Sequence, residues 1–93
     1  MNVTVEVGAT KGRFTARDAG RVVGTMTFSR AGETRIIVDH TEVADEARGS
    51  GVGRALFDAM VEWARSHQLK VIALCPYTAS VFGKVPEARD VLA

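Results

Sequence analysis

Hydrophobic and polar positions alternate through the first half of the chain and then change to a helical period. Val3, Val5 and Val7 alternate with polar neighbours over residues 2–7, and Phe14 to Arg17 forms a short strand ending in an Asp18-Ala19-Gly20 turn. Val22 to Phe28 reads as the next strand, with Val22, Gly24, Met26 and Phe28 on one face and Val23, Thr25 and Thr27 on the other. Arg30-Ala31-Gly32-Glu33 supplies another turn. Strict alternation over Thr34 to Val43 then puts Ile36, Val38, His40 and Glu42 on one face and Arg35, Ile37, Asp39, Thr41 and Val43 on the other. Short connections between these strands predict an antiparallel meander.

From Val52 to His67 the apolar residues fall at 52, 56, 57, 60, 61, 63 and 64, a broad stripe that predicts a helix of about four turns. Val71 to Leu74 is almost wholly apolar and reads as a central strand. Pro76 suits the first turn of a second helix, which Gly83 closes, and Pro86 restarts the chain as a short terminal helix over Glu87 to Leu92. Strand 36–43, helix 52–66 and strand 70–74 make a β-α-β crossover, which requires the two strands to run parallel. The fold class is α/β: an antiparallel meander followed by a crossover. Met26, Phe28, Phe57, Met60 and Phe82 are core candidates, and Trp63 lies at the edge of the helical stripe.

A length of 93 residues fits one domain spanning 1–93. The 12 basic and 11 acidic residues are interspersed, so no basic face favours nucleic acid. A single cysteine, Cys75, excludes an internal disulfide and favours a reducing compartment; with no signal-peptide pattern and no membrane-length apolar run, the cytoplasm is the expected location. One cysteine and two separated histidines do not make a metal site.

The chemistry concentrates at Arg48-Gly49-Ser50-Gly51-Val52-Gly53-Arg54, directly before the long helix and at the C-terminal end of the crossover's first strand. Glycines let a ligand approach the main chain, and a helix N-terminus offers unpaired amides and a positive dipole end to an anion. Arg48 and Arg54 add charge-assisted bonds. The segment matches neither the dinucleotide fingerprint nor a Walker A loop. On these residues alone it is an anion site or a plain capped turn.

This segment resembles the (Arg/Gln)-x-x-Gly-x-(Gly/Ala) signature of the GCN5-related N-acetyltransferases. His40-Thr41-Glu42-Val43 before it and Cys75-Pro76-Tyr77 after the next strand are similar to the flanking segments of the very small, single-domain branch of that superfamily. The likeness runs from about Phe14 to Leu92. It implies a minimal fold whose parallel strands splay apart, with acetyl-CoA bound across the splay. Val43 would bond the pantetheine arm, Arg48 through Arg54 the pyrophosphate, and Cys75 would lie near the thioester. One departure stands out: Val85-Pro86-Glu87-Ala88 replaces the branch's His-Pro-Glu-Tyr, removing a histidine and a tyrosine.

Acetyl transfer to an amine needs a neutral amine, a polarised carbonyl and a stabilised leaving thiolate. Glu42 and His40, two residues apart on one strand, are candidate bases. Cys75 is a candidate acyl acceptor or cofactor neighbour, and Tyr77 a candidate proton donor to the thiolate. The resemblance implies a primary amine acceptor, on a small molecule or a protein, and a monomer or homodimer. The alternative is a CoA or acyl-CoA binding module without turnover.

Overall fold

Five strands and two α-helices follow one another in the computed structural model, which describes residues 1–93. Strands β1 (Asn2–Val7), β2 (Lys11–Asp18), β3 (Arg21–Ala31) and β4 (Arg35–Val43) form the antiparallel meander. Helix α1 (Val52–Ser66) crosses to β5 (Lys70–Ala73), which pairs with β4 in parallel, and helix α2 (Pro76–Lys84) follows. The sheet order is β1-β2-β3-β4-β5. Short 3-10 turns cover Asp45–Ala47 and Pro86–Val91.

Cross-strand neighbours share a face, so the register separates the two sides of the sheet. Val5, Phe14, Met26 and Thr41 make one row and Val3, Ala16, Gly24 and Val43 the next. This side meets α1: a Cβ added to Gly24 would lie 2.6 Å from Val52 Cγ1 and 3.2 Å from Leu56 Cδ1. Val52, Leu56, Phe57, Met60, Val61 and Ala64 of α1 are buried in the single core formed there. Trp63 closes it with ring centroids 5.8 Å from Phe14 and 5.2 Å from Phe28, and Phe57 packs edge-on against Phe82 of α2 at 4.9 Å. Arg65 of α1 grips Asp90 through Nε and Nη2 at 2.8 and 2.6 Å, tying the last turn to the helix.

The opposite side carries polar rows: Glu6, Arg13, Thr27 and His40, then Thr4, Thr15, Thr25 and Glu42. Here strict alternation fails. Thr27 pairs with His40 and Phe28 with Val38, so Asp39 is an extra residue bulged out of β4. Ile36 and Val38 face the core, but beyond the bulge His40 and Glu42 face away from it while Thr41 and Val43 take the helix side. The expectation that Ile36, Val38, His40 and Glu42 share a face is therefore corrected. A second shift, at Ala16/Arg17, inserts Val23 and leaves Val22 outside the core row, 53% exposed.

Strand β5 is also not central. It is the last strand of the sheet, and its outer side is met by the C-terminal residues: Leu92 bridges to Val71, and the Ala93 amide donates to the Val71 carbonyl at 2.8 Å. That cover accounts for its apolar sequence. Gly83 sits inside the last turn of α2, and the helix ends one residue later, at Lys84.

Candidate functional site

The parallel pairing of β4 and β5 stops early. It runs from Arg35 with Lys70 to Val38 with Ala73, and the Val38 carbonyl then accepts the amides of Leu74 at 3.0 Å and Cys75 at 2.9 Å. Residues 39–43 continue β4 without a strand on that side, while the other chain turns into α2 at Pro76. The strands thus part at Asp39, leaving a gap between β4 and the start of α2.

The glycine-rich loop closes the far end of this gap. Gly49 and Gly51 take φ of 83° and 85°, the left-handed region that side chains disfavour, and a Cβ at either would meet nothing within 4 Å. The space above both is open to a ligand. Gly51 is the N-cap of α1 and provides no side-chain cap, and the first turn holds no acidic residue. The leading amides of this 15-residue helix are therefore free for an anion, with the dipole behind them. Ser50 is turned into the loop, its hydroxyl donating to the Ala47 carbonyl. Arg48 and Arg54 flank the cradle, held by Asp45 at 3.3 Å and Asp58 at 2.9 Å, both well exposed. Val43, Ala47, Arg48, Gly51, Arg54 and Tyr77 line a cleft of about 260 Å³ here. An open glycine backbone, free amides and two cations suit a pyrophosphate.

Cys75 and Tyr77 lie on the helix side of the gap. Cys75 is the N-cap of α2 and 4% exposed; its Sγ donates to Thr41 Oγ1 at 3.5 Å, bridging the parted strands. Burial is the largest single influence on this thiol and opposes ionisation. Thr41, the Thr78 amide and hydroxyl, and the Tyr77 amide together outweigh it, so the thiol sits below its ordinary pKa. Thr78 Oγ1 is fully buried and meets no hydrogen-bond partner, and Thr78 is among the neighbours that favour the ionised form of the thiol. Tyr77 reaches over α1: a Cβ on Gly53 would stand 2.7 Å from its hydroxyl oxygen. Burial pushes the phenol above its ordinary value, with Arg54 opposing, so the hydroxyl keeps its proton at neutral pH.

The sequence singled out Cys75, Tyr77, Val43 and residues 48–54, and the structure gathers them around the gap and its cradle. His40 and Glu42 stand on the other face of β4, both exposed. Positions 85 and 88 lie off the gap: Val85 and Ala88 are buried beside an adjoining cleft of about 310 Å³ on α1, with Phe57, Asp58 and the Arg54 that also lines the cradle. Thr41 and Thr78 were missed. Thr41 was hidden by the unforeseen bulge, whereas Thr78, two residues after a proline that opens a helix, was open to recognition as a hydroxyl in the first turn beside an N-cap cysteine.

The comparisons agree with this geometry. The family model described as GCN5-related N-acetyl-transferase matches residues 13–91. A GCN5-like protein from Staphylococcus aureus, solved by NMR, is 33% identical with a TM-score of 0.72, the match covering 99% of this chain and 89% of that one. The ribosomal-protein-alanine N-acetyltransferase from Brucella melitensis is 25% identical with a TM-score of 0.67, covering 92% of this chain and 64% of that one. GCN5 of Tetrahymena shares the fold at a TM-score of 0.68 and 12% identity, over 83% of this chain and 50% of that one. Among curated proteins, none matches. With its parted strands, its glycine cradle at the head of α1 and a family match over most of its length, the chain belongs to the GCN5-related N-acetyltransferase family.

Proposed function

We propose that this protein transfers the acetyl group of acetyl-CoA to a primary amine. The observation that carries the reading is the open cradle over Gly49 and Gly51 at the free N-terminus of α1, opening onto the gap where β4 leaves β5. The family's members use acetyl-CoA, and the cradle suits its pyrophosphate. Arg48 and Arg54 would turn from their surface carboxylates to the phosphate oxygens, a small loss, since exposed pairs contribute about 1 kcal/mol or less. Val43 would flank the pantetheine arm, and the thioester would then lie in the gap near Cys75 and Thr41.

In the reaction the amine nitrogen bonds to the acetyl carbon, the carbon–sulfur bond breaks, the amine gives up a proton and the thiolate takes one. Glu42, or His40, receives the amine proton directly or through a water. Tyr77, whose phenol is protonated at neutral pH, returns a proton to the sulfur. Cys75 stays a neighbour of the thioester, and its hydrogen-bonded, ionisable thiol also fits it to accept the acetyl group transiently.

Calorimetric titration with acetyl-CoA and with CoA, followed by intact mass, tests this. Expected are micromolar binding, its loss in Gly51→Val with the circular dichroism unchanged, and turnover with a panel of amines that falls at least about tenfold in Glu42→Gln. An adduct of about 42 Da (the mass of an added acetyl group), absent in Cys75→Ala, would assign the covalent route. Binding without turnover on any amine would establish a CoA-binding module instead. Absence of binding up to millimolar ligand would overturn the reading.

A further inference from the structure

The largest cavity, about 510 Å³, is not the cradle. It opens on the polar side of the sheet, between the β1–β2 hairpin and the bulge of β4, and Glu6, Lys11, Arg13, Thr27 and Asp39 give it its polar lining. Glu6 and Arg13 are direct cross-strand neighbours, placed to pair, yet neither they nor Lys11 enter an ion pair or a side-chain hydrogen bond. Asp39 Oδ1 accepts one bond, from Thr27 Oγ1 at 2.6 Å, which fixes the carboxylate beside the cavity. A concave surface with a few convergent polar groups, exposed and not committed to ion pairs, is the form of a ligand site.

The charges are ordered across the sheet. The free cations Lys11 and Arg13 sit on β2; Asp39 sits on β4, at the point where β4 and β5 part. One strand separates them, so their backbones lie about 10 Å apart and their side chains span less. An amine held by Asp39 stands beside the start of the gap, one strand position from His40 and three from Glu42, while a negative group on the same molecule reaches Arg13 and Lys11.

We propose that this cavity is the acceptor site and that the acceptor is a zwitterionic amine, an amino acid: Asp39 holds its ammonium group at the gap, and Arg13 with Lys11 holds its carboxylate. The inference rests on the acetyl-transfer reading for the reaction but is separable from it, because the cavity and the cradle lie on opposite faces of the sheet. Arg13 supplies the planar two-point grip that carboxylates favour.

The test is amide-resolved NMR titration of the full chain, first with CoA and then with L-lysine or with cadaverine, its analogue without the carboxylate. L-lysine should shift amides of β2, of residues 26–28 and of residues 38–40, and bind at least about tenfold more tightly than cadaverine. Arg13→Ala and Lys11→Ala should erase that preference by weakening L-lysine without weakening cadaverine, and Asp39→Asn should weaken both ligands. All three positions are on the surface, so a retained spectrum shows that the fold survives. Equal affinity for the two amines, a preference that survives Arg13→Ala with Lys11→Ala, or shifts confined to another surface would overturn the proposal. Shifts at residues 48–54 with CoA report the cradle separately, so failure there is told apart from failure here.

Discussion

Gly53→Ala separates the packing of Tyr77 from its chemistry. The added methyl would lie 2.7 Å from the Tyr77 hydroxyl oxygen and 2.8 Å from Cζ, where ordinary contact begins at 3.4 Å. The hydroxyl must therefore recede by about 0.7 Å, the difference between 3.4 and 2.7. Tyr77 is 38% exposed, so the ring swings outward instead of straining the core. The substitution removes a glycine from the first turn of α1, which favours the helix by up to about 1 kcal/mol, and loses a similar amount in Tyr77 contacts. Net stability should change by less than about 1 kcal/mol, or under about 8 °C in Tm. Turnover should respond far more: a displacement approaching 1 Å at a proton donor lowers kcat by about 10- to 100-fold. The assay is thiol release from acetyl-CoA with the best amine of the panel, beside thermal melts, for Gly53→Ala, Tyr77→Phe and the double variant. If both act through the hydroxyl, the double variant is no worse than Tyr77→Phe. Losses that multiply to within about twofold, or a Gly53→Ala variant with unchanged kcat, would refute the role of Tyr77.

Three further perturbations test other parts of the account. Ala19 and Gly20 take φ of 51° and 80° in the two-residue turn between β2 and β3, a geometry that favours Asn-Gly, so Ala19→Asn should raise the unfolding free energy by about 0.5–1 kcal/mol, read as a higher urea midpoint at unchanged m. Thr78→Val removes a buried hydroxyl that has no partner, so stability should rise by about 1 kcal/mol. In the same variant the pH for half-maximal alkylation of Cys75 should move upward, because a donor to the thiolate is gone; an unchanged profile would deny that link. Arg65 holds the Asp90 carboxyl below its usual value, and a depressed carboxyl stabilises the fold above its unfolded pKa of about 3.9 and ceases to as pH falls through the folded value. Asp90→Asn should therefore melt lower at neutral pH, with the gap closing below about pH 4; a gap constant with pH would contradict this.

Much of this was legible in the sequence because period carries it. The meander, the long amphipathic helix, the crossover and the cradle follow from alternation, from the stripe over 52–64 and from the spacing of Gly49, Gly51 and Gly53. What was not legible depends on partners distant in sequence. A bulge is one extra residue set against one on another strand, and nothing local to Asp39 or Val23 announces it, yet each reverses every side chain beyond it. The placing of β5 at the edge was likewise hidden, since its apolar character reflects cover by Leu92 and Ala93 from the other end of the chain.

The bulge at Asp39 is the feature from which the site's arrangement follows. Without it, His40 and Glu42 would continue the Ile36–Val38 face into the core, where two ionisable groups without partners are costly, and Thr41 and Val43 would turn outward. With it, Thr41 meets Cys75 and Val43 lines the cradle cleft on the helix side, while His40 and Glu42 stand on the polar side. On the proposed reading this divides the two proton transfers between the faces of one sheet: the phenol that protonates sulfur lies on one face and the bases that serve the amine on the other. The thioester must then sit in the gap between them. The gap begins at the bulge because β5 follows β4 only as far as Val38, so the residue that reverses the strand also marks where the two substrates can meet.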